Sequence, residues 1–565
     1  MQKRWKIEDR IATEADSRLA AFHPVLRQLL FNRGYGTEEE ARAYLHGETE
    51  FNTDPFQLTG MTTAIDRIRF AAAHDEAIAV YGDYDVDGVT ATALLVQVLA
   101  SRNADVRPYI PNRFDEGYGL NLEALDTLKA QGVKLVITVD CGIRSPREAA
   151  YAGDIGLDMI ISDHHHPADG ALPSAAAIVN PKLPGDTYPD KSLAGVGIAF
   201  KIAEALSTAD GNHLDLGALL DLVALGTVAD LAPLIGENRS LVRRGLDEIR
   251  RTRRQGLYSL AKVAALQISK TTASQIGFIL GPRLNAAGRL KSAEAALELL
   301  MTSDPGRAGL LAQELDSKNQ ERQAVTRETQ TRAEALATAE EEDPALLFAV
   351  DEGFNPGVVG LAASRLVEAH YRPAVVAAKG AEETRGSCRS IPEFHITDAL
   401  DKCADLLVRH GGHAAAAGFT VRNENLPELV KRLKGLARTE LGVQELRPTL
   451  NADMEIALSA LNFDLLGELG DLEPTGYGNR EATFVSRDVK VKSSRVVGSE
   501  GRHLKLTLQD ERGVTTDAIG FRLGQLQAEL PSRVDLAYTL ESNEYNGRIT
   551  LQLNLKDVRR AGVGV

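Results

Sequence analysis

The chain has 565 residues, far more than one hydrophobic core organises, so about three or four domains of ~100–200 residues each are expected. Hydrophobic residues make up 44% and charged residues 25%, and no apolar run reaches the ~20 residues of a membrane-spanning helix. The N-terminus lacks the apolar core of a signal peptide, and the three cysteines are widely separated. These features predict a cytoplasmic protein without a disulfide framework or a zinc ribbon.

The formal net charge of −15 argues against a polyanionic partner, because nucleic-acid binding depends largely on neutralising phosphates. The distribution of charge matters more than the sum, however. Positive charge is concentrated in the run RRTRR from Arg250 to Arg254 and in the stretch from Arg283 to Lys291. Such a run is typical either of a phosphate-binding surface or of a solvated helix, and the sequence leaves both interpretations open.

Between about residues 75 and 163 the sequence alternates short apolar runs with helical segments. The apolar runs AIAVYG, VRPYIP, KLVITVD and LDMIIS have the length of buried strands. The segments between them, such as VTATALLVQVLASR, have the length and composition of helices. Repetition of strand, helix and strand predicts a parallel sheet with right-handed crossovers.

Polar residues of the kind that bind metals follow three of these predicted strands. Because the carboxyl ends of parallel strands meet at one edge of a sheet, such residues are expected to lie in one crevice. They are Asp83, Asp85 and Asp87 after the first strand, Asp140 after KLVITV, and Asp163, His164 and His165 after LDMIIS.

The rest of the chain changes character twice. Helical sequence dominates to about residue 340; it includes a helix that ends at Asp230 and one long helix that starts at Pro305. A second α/β unit follows, from LLFAVD to the glycine-rich HGGHAAAAGF. About the last hundred residues alternate as in the strands of a small β-barrel, with a hairpin turn predicted at Asn546-Gly547.

The motif DYDVDG, residues 83–88, places three carboxylates on alternate positions after an apolar run. Like charges this close repel one another and burial raises their pKa values, so a fold that keeps them together needs a cation. An EF-hand calcium loop begins in the same way, but position twelve is Leu94 where a bidentate Glu is required, and a strand precedes the motif. Capping of the following helix explains one aspartate and not three.

Addition of Asp140, His164, His165 and Asp230 makes the chemistry more specific. Carboxylate and imidazole ligands suit Mn²⁺ or Mg²⁺, and the excess of carboxylates favours two ions. Each residue alone has an ordinary structural explanation, such as a turn cap at Asp140 or a solvated loop at the histidine run. Their common position at successive strand ends favours a metal site.

Four motifs resemble those of the DHH phosphoesterases: GDYDVDG, TVDCGI around Asp140, the signature Asp163-His164-His165, and GTVADLAPLIGENR around Asp230. Four others, YIPNRFDEGYGL, GPRLNAAGR, GSCRSIPEFH and GGHAAAAG, resemble the RecJ branch of that family, and the similarity covers nearly the whole chain. The resemblance implies an α/β fold with a parallel-sheet DHH domain and a second α/β (DHHA1) domain joined by a long helix, plus a C-terminal OB-like β-barrel.

Five domains are expected on this basis. They are an N-terminal helical cap (1–50), the DHH catalytic domain (51–235), a helical region with the long connecting helix (236–343), the DHHA1 domain (344–445) and the OB-like nucleic-acid-binding domain (446–565).

The resemblance also implies an activity: a metal-dependent 5′→3′ exonuclease that hydrolyses single-stranded DNA to mononucleotides in recombination and repair, with two Mn²⁺ or Mg²⁺ ions. Asp85 and Asp87 would each ligate one ion, and Asp140 would bridge the pair. His164 and Asp230 would complete the shell of the second ion.

Other residues of the motifs would assist. Asp83 would support the ligands, Asp163 is expected to be catalytic as part of the signature, and His165 would face the scissile phosphate as an electrostatic stabiliser or proton donor. Gly88 leaves room beside the metal loop. Cys388 departs from the family, which commonly has glycine there, and this substitution can change local backbone freedom.

An enzyme that starts at one end of a strand must recognise that end, and arginine forks with hydroxyl or backbone donors suit a 5′-phosphate. Arg389 is the foremost candidate, since glycine, serine and arginine within GSCRS make an anion cradle. For the other arginines, a salt bridge within their own domain is the alternative. The predicted phosphate- or DNA-binding residues are Arg113, Arg283, Asn285, Arg289, Ser387, Arg389 and His413.

The barrel is expected to grip the strand away from the cut. Its alternating segments carry basic and aromatic residues that suit backbone charge and base stacking. They include Lys490, Lys492, Arg495, Arg502 and Tyr545.

Two alternatives to the exonuclease remain open. One is a DHH phosphodiesterase of short oligonucleotides, which would not need the C-terminal barrel. The other is a non-catalytic scaffold that binds single strands, which would have lost metal ligands that this chain keeps. The family resemblance implies a single-strand-binding protein and a RecQ-type helicase as partners, although no motif shows either contact.

Overall fold

The computed structural model describes residues 3–46, 53–112, 119–168, 170–210, 215–290, 293–339, 341, 343–442 and 445–562. The chain forms two compact units. The larger unit consists of Lys3–Leu284, Ala293–Ala312 and Thr449–Val565, and the smaller unit is mainly Asn285–Ser292 and Gln313–Pro448. No helix among the described residues is both long and apolar enough to cross a lipid bilayer.

The larger unit begins with a short strand and helices. Helix α2 starts with proline, whose missing amide hydrogen is not needed at a helix N-terminus, and His23 caps it by accepting a hydrogen bond from the Val25 amide. These first elements are β1 (Arg4–Ile7), α1 (Thr13–Arg18), α2 (Pro24–Asn32), α3 (Glu38–His46) and α4 (Met61–Ala73).

A five-stranded parallel sheet follows, as the alternation of strands and helices predicts. Its strands are β2 (Ala77–Gly82), β3 (Val106–Tyr109), β4 (Val133–Val139), β5 (Asp158–Ser162) and β6 (Ala177–Val179), in the order β3-β2-β4-β5-β6. Every residue of β2 is buried, which explains an apolar run without alternation. The parallel sheet is thus confirmed. Strand β6 escaped prediction because three residues are too few to show a period.

Helices connect these strands and then dominate the chain. Helix α9 is buried from Leu220 to Val228 because it packs against α5, α8 and α10. The long helix expected from Pro305 is confirmed as α15. The helices are α5 (Val86–Ala100), α6 (Leu122–Ala130), α7 (Pro146–Asp154), α8 (Gly195–Asp210), α9 (Leu220–Ala229), α10 (Gly236–Arg250), α11 (Gln255–Val263), α12 (Ala273–Gln275), α13 (Gly281–Leu290), α14 (Glu294–Met301) and α15 (Pro305–Ala337), with a π-helical segment at Ile276–Leu280.

The smaller unit is a second α/β domain around a mixed sheet in the order β10-β11-β9-β8-β7. Alternate residues of β8 supply two hydrophobic cores, with Val375 and Ala377 on one face and Val376 and Ala378 on the other. Its elements are β7 (Leu347–Asp351), α16 (Val359–His370), β8 (Ala374–Lys379), β9 (Glu383–Arg389), α17 (Ile396–Asp401), β10 (Leu407–His413), β11 (Ala416–Arg422) and α18 (Leu426–Leu441).

The C-terminal part of the larger unit is a closed five-stranded barrel, which confirms the predicted OB-like fold. Strands β14, β15, β16, β18 and β17 pair in that order, and β17 pairs back to β14. Asn546 and Gly547 have φ values of 51° and 76°, as the predicted hairpin turn requires. The elements are β12 (Thr449–Ala452), β13 (Met454–Glu455), α19 (Phe463–Gly470), β14 (Phe484–Val497), β15 (His503–Gln509), β16 (Thr515–Gly520), β17 (Arg533–Tyr545) and β18 (Arg548–Arg560).

The barrel shares its core with the start of the chain. Leu29 and Tyr44 of the N-terminal helices belong to the same hydrophobic cluster as Phe484 and Tyr538 of the barrel. Strand β1 also pairs with β12, and the Trp5 indole donates a 2.7 Å hydrogen bond to Asp557. The barrel therefore depends on residues that are distant in sequence. The five predicted domain limits stay a prediction.

Candidate metal centre and nucleic-acid contacts

The aspartates of DYDVDG lie in the turn between β2 and α5. Asp85 is the N-cap of α5, since its Oδ1 accepts hydrogen bonds from the Asp87 amide at 3.0 Å and the Gly88 amide at 3.1 Å. A Cβ at Gly88 would lie 2.5 Å from the Asp83 backbone, so only glycine allows the turn to fold this tightly. Helix capping thus accounts for Asp85. It does not account for Asp83 and Asp87, which are buried.

Asp87 is fixed by the N-terminus of α8. Its Oδ2 accepts a 2.6 Å hydrogen bond from the Gly195 amide, and its Oδ1 accepts a 2.8 Å bond from the Val196 amide. The positive end of the helix dipole favours a carboxylate in this position. A Cβ at Gly195 would lie 2.8 Å from the Asp140 Cβ, so glycine lets the helix approach the cluster.

Asp140 and His164 bring the other strand ends to the same place. Asp140 follows β4 with a φ of 60°, a left-handed conformation that is unfavourable for a residue with a Cβ and that is frequent at functional sites. His164 Nε2 lies 3.0 Å from Asp140 Oδ1, 3.7 Å from Asp230 Oδ2 and 3.9 Å from Asp87 Oδ2. Asp230 reaches the site as the C-cap of α9.

These residues form sets whose ligand atoms lie within 4.8 Å of one another. Two sets share no member, so the cluster has ligands for two ions. Asp140 occurs in two of the three sets. The sets are Asp83, Asp85 and Asp140; Asp87, His164 and Asp230; and Asp140, His164 and His165.

Burial makes the cluster costly without a cation. Burial, followed by the charge of Asp85, raises the pKa of Asp87 to about 7. Burial, followed by the charges of Asp87 and Asp85, raises the pKa of Asp230 to about 9. Burial likewise raises the pKa of Asp140, and it lowers the pKa of His164 to about 3, where the ring is a neutral ligand. These carboxylates therefore ionise together only when positive charge is supplied.

Two buried atoms of the cluster also indicate that a cation binds there. Asp140 Oδ1 and His164 Nε2 are buried 3.0 Å apart, yet this contact does not have hydrogen-bond geometry, and within the described residues neither atom makes a hydrogen bond. Buried polar atoms are normally satisfied, and an unsatisfied one is expected where a metal ion binds. The donor set of carboxylates and imidazole fits Mn²⁺ or Mg²⁺.

Asp163 contacts His165 and does not belong to the ligand sets. Its Oδ1 lies 2.8 Å from His165 Nδ1 and accepts a 3.0 Å hydrogen bond from the His165 amide, while its Oδ2 accepts a bond from the Ile143 amide. Burial lowers the pKa of His165, but the hydrogen bond and charge of Asp163 outweigh it, so that pKa is raised. Asp163 thus orients a ring whose side chain is 40% exposed.

Lys182 is a charged neighbour of the cluster that the sequence did not indicate. It follows β6 in a loop where Asn180 donates to the His165 carbonyl and accepts from the Lys182 amide. Burial lowers the pKa of Lys182, and the charges of Asp230 and Asp163 oppose that shift. The available signal was its place after a strand of the same sheet edge, but β6 itself was not recognised.

In the smaller unit, β9 carries a half-buried arginine beside a hydroxyl group. Arg389 Nη1 donates to Ser387 Oγ at 3.2 Å and to the Cys388 carbonyl at 2.7 Å. A Cβ at Gly360 would lie 2.9 Å from Ser387 Oγ and 3.2 Å from Arg389 Nη2, so this glycine leaves space at the guanidinium. Burial lowers the pKa of Arg389, and no ion pair with a described carboxylate compensates. Cys388 points the other way, into the core.

The other predicted phosphate-binding residues are less informative. Arg283 donates a 2.8 Å hydrogen bond to the Ile279 carbonyl, and Asn285 lies in the next turn of α13. His413 is exposed at the end of β10. Arg113 lies outside the described residues, as does the side chain of Arg289.

Three arginines of the run from Arg250 to Arg254 are engaged in ion pairs within the larger unit. Arg254 Nε lies 2.8 Å from Asp221, and Arg250 and Arg251 pair with acidic residues of their own helix. Of the two interpretations of the run, these contacts favour a helix surface over a phosphate-binding surface. By contrast, the five residues proposed on the barrel are all exposed: Lys490, Lys492, Arg495, Arg502 and Tyr545.

Family models match three parts of the chain. Residues 77–227 match the DHH family, N-terminal domain; residues 343–439 match the DHHA1 domain; and residues 452–557 match the RecJ OB domain. The first match spans the parallel sheet and most of the carboxylate cluster, so sheet and cluster together are those of a DHH phosphoesterase.

Individual relatives narrow this class. The chain is 40% identical over 560 residues to the single-stranded-DNA-specific exonuclease RecJ of Bacillus subtilis, covering 98% of this chain and 70% of that protein. It is similar to the crystal structures of Thermus thermophilus RecJ with Mn²⁺ (TM-score 0.85, 30% identity, 99% of this chain and 80% of that chain) and with Mg²⁺ (0.80, 30%, 99% and 79%). The chain belongs to the RecJ family.

Proposed function

We propose that this protein is a metal-dependent exonuclease that hydrolyses single-stranded DNA from the 5′ end to mononucleotides. The observation that carries the proposal is the buried pair Asp140 Oδ1 and His164 Nε2, which make no hydrogen bond among the described residues and lie among carboxylates. The substrate follows from the named activity of the relatives and from the barrel that this chain shares with them.

Two Mn²⁺ or Mg²⁺ ions would be held by the disjoint ligand sets, with Asp83, Asp85 and Asp140 on one side and Asp87, His164 and Asp230 on the other. When bound, such ions supply Lewis acidity that activates water and stabilises charge on a phosphate. Because both oxygens of Asp87 already accept amide hydrogens, α8 determines how that carboxylate faces its ion.

The residues of the chain itself orient the reacting groups. Asp163 holds the His165 ring by Nδ1 and raises its pKa, which increases the protonated fraction near neutral pH. A protonated His165 is suited to stabilise a phosphate oxygen or to donate a proton to the leaving oxygen. Lys182 adds positive charge on the side of Asp230.

Recognition of the 5′ end is assigned to Arg389 and Ser387. A half-buried guanidinium without a described carboxylate partner binds a phosphate more strongly than a fully exposed one, because the anion compensates the lost solvation. The hydroxyl of Ser387 lies within hydrogen-bond distance of the guanidinium and can join the same anion. The exposed basic residues of the barrel would hold the strand through its phosphates.

The resemblance further supports a role in DNA recombination and repair in the cytoplasm, with a single-strand-binding protein and a RecQ-type helicase as partners. Stimulation of strand degradation by each purified partner is the direct test. If neither protein stimulates degradation, the proposal of these two partners is wrong and the proposed exonuclease activity is unaffected.

The activity itself is tested with end-labelled single strands and duplexes, with and without Mn²⁺. The proposal predicts Mn²⁺-dependent release of the 5′-terminal mononucleotide from single strands and little from duplex. Cleavage confined to very short oligonucleotides would favour the phosphodiesterase alternative, and binding without cleavage would favour the non-catalytic scaffold.

A further inference from the structure

Three large apolar side chains of the larger unit are exposed around one cavity. The exposed fraction is 82% for Phe278, 68% for Leu231 and 65% for Tyr477. Scattered apolar residues are common on protein surfaces, but a contiguous group with a polar rim marks an interaction site. Here the rim includes Ser274, Glu481 and Lys556, and Lys556 Nζ lies 3.7 Å from a Glu481 carboxylate oxygen.

Leu231 connects this cavity to the metal cluster because it directly follows Asp230. Its φ is 59°, a conformation that glycine adopts freely and that is unfavourable for leucine. The helix α9 would end with less strain if residue 231 were glycine. A strained backbone that exposes a large apolar side chain beside a ligand residue indicates a function for that side chain.

Phe278 and Tyr477 are also presented by unusual local structure. Phe278 is the middle residue of the π-helical segment Ile276–Leu280, a feature that is frequent at functional sites. The Tyr477 carbonyl accepts a 2.7 Å hydrogen bond from the Leu234 amide. Beside it, Gly478 packs so closely on Pro233 that a Cβ would lie 3.0 Å from the Pro233 Cβ. The loop with Tyr477 is therefore anchored to the segment that follows Asp230.

We propose that Leu231, Phe278 and Tyr477 form a base-stacking platform for the strand that enters the metal centre. The occupant is unpaired nucleobases of single-stranded DNA, because the platform adjoins Asp230 through Leu231 and reaches the barrel, which matches the RecJ OB domain, at Lys556. Flat apolar and aromatic side chains stack on any base, so the platform has no sequence preference. This inference rests on the proposed function and adds a substrate-positioning site to it.

The platform contributes selectivity for single strands. In a duplex each base is paired and covered on both faces by its neighbours, so stacking on Phe278 requires unpairing first. An unpaired strand offers its base faces directly. The platform also holds one base of the DNA strand at a fixed distance from Asp230. The contribution of the platform to binding must therefore depend on the position of that base in the strand.

An abasic scan of the substrate tests this dependence. Binding is measured by fluorescence anisotropy in Mn²⁺ with the Asp140→Asn protein, using oligonucleotides that lack one base at successive positions from the 5′ end. We expect loss of one or two particular bases to weaken binding on the order of 5- to 100-fold. Adding Phe278→Ala to the protein should lower affinity for the intact strand by a similar factor and remove the dependence on those positions.

Matched variants identify the cause. Tyr258→Ala removes an exposed aromatic ring of α11 that does not line the cavity, and it should keep the position dependence. Phe278→Trp should keep it as well, because the indole also stacks. A scan that is flat, or that is unchanged by Phe278→Ala, overturns the platform and leaves the patch to a protein partner. Failure of the proposed function looks different, since the unsubstituted protein would then release no mononucleotide from long single strands, whether or not binding depends on the position of a missing base.

Discussion

The metal cluster of the larger unit and the arginine site of the smaller unit are incomplete in opposite senses. In the cluster, burial and then the charges of neighbouring carboxylates raise the pKa of Asp87 and Asp230. At β9, burial lowers the pKa of Arg389, and the described residues supply no carboxylate partner. A divalent ion completes the first site and a phosphate completes the second. Bond cleavage and end recognition should therefore fail separately when each site is altered.

The largest effect is expected from Asp140→Asn. The amide keeps the shape of the side chain but cannot provide the charge that two ligand sets use, so kcat on single strands should fall on the order of a thousandfold or more. Single-strand binding should largely survive. Measurement of mononucleotide release under single-turnover conditions, together with anisotropy, separates the two quantities.

Asp154→Asn is the matched control for that variant, since Asp154 is an exposed acid on α7. It should leave both activity and binding unchanged. An Asp140→Asn protein that is folded and fully active would remove the cluster from the catalytic account.

A smaller and selective effect is expected from Arg389→Ala. Loss of one desolvated, charge-assisted contact costs roughly 2–4 kcal/mol, which is a loss of tens- to several-hundred-fold in kcat/KM. The loss should appear on 5′-phosphorylated strands and be much smaller on 5′-hydroxyl strands. Arg385→Ala, an exposed arginine on the same face of β9, should lack this selectivity. Equal losses on both substrates would show that Arg389 does not recognise the end.

The metal-free protein should become less stable as the pH rises. The pKa values of Asp87 and Asp230 are raised to about 7 and about 9 in the fold, whereas unfolded aspartates titrate at about 4. Between these values the unfolded chain releases protons that the fold retains, so the melting temperature should fall as pH rises from about 5 to 9. Mn²⁺ should raise the melting temperature more at pH 8 than at pH 6. Equal metal stabilisation at both values would contradict the assigned protonation.

The smallest effects are expected on the barrel. Lys492→Ala and Arg495→Ala should each weaken binding of all strands alike and reduce the slope of log affinity against log salt by about one. Lys431→Ala on α18 serves as an exposed control. Point substitutions are preferable to deletion of the barrel, because Leu29 and Tyr44 would lose their core partners. Unchanged salt slopes would exclude these residues from the strand-binding surface.

Much of the fold and the gathering of the cluster could be predicted from the sequence. Apolar runs such as that of β2 predict buried parallel strands, and the carboxyl ends of those strands meet at one edge of the sheet. Asp140 and Asp163 could therefore be expected near Asp85 without knowledge of any contact. The long polar helix α15 and the Asn546-Gly547 hairpin also follow from local signals.

Contacts between distant segments could not be predicted in this way. Asp87 is fixed by Gly195 and Val196, more than one hundred positions along the chain, and no local pattern encodes that pairing. The sequence left a phosphate-binding surface and a solvated helix equally open for the run that ends at Arg254, because the partner of that arginine, Asp221, lies elsewhere in the chain. The left-handed backbone conformation of Leu231 likewise could not be predicted from the sequence, since leucine ordinarily avoids that conformation.

Metal stoichiometry tests the central claim most directly. Equilibrium dialysis against Mn²⁺, followed by elemental analysis, counts the ions bound by the unsubstituted protein and by Asp140→Asn at pH 8. The account predicts two ions per chain in the former, with exonuclease activity rising as the second binds, and loss of at least one ion in the latter. Full activity with one ion or none, or two ions retained by Asp140→Asn, would contradict a two-metal centre built on these strand ends.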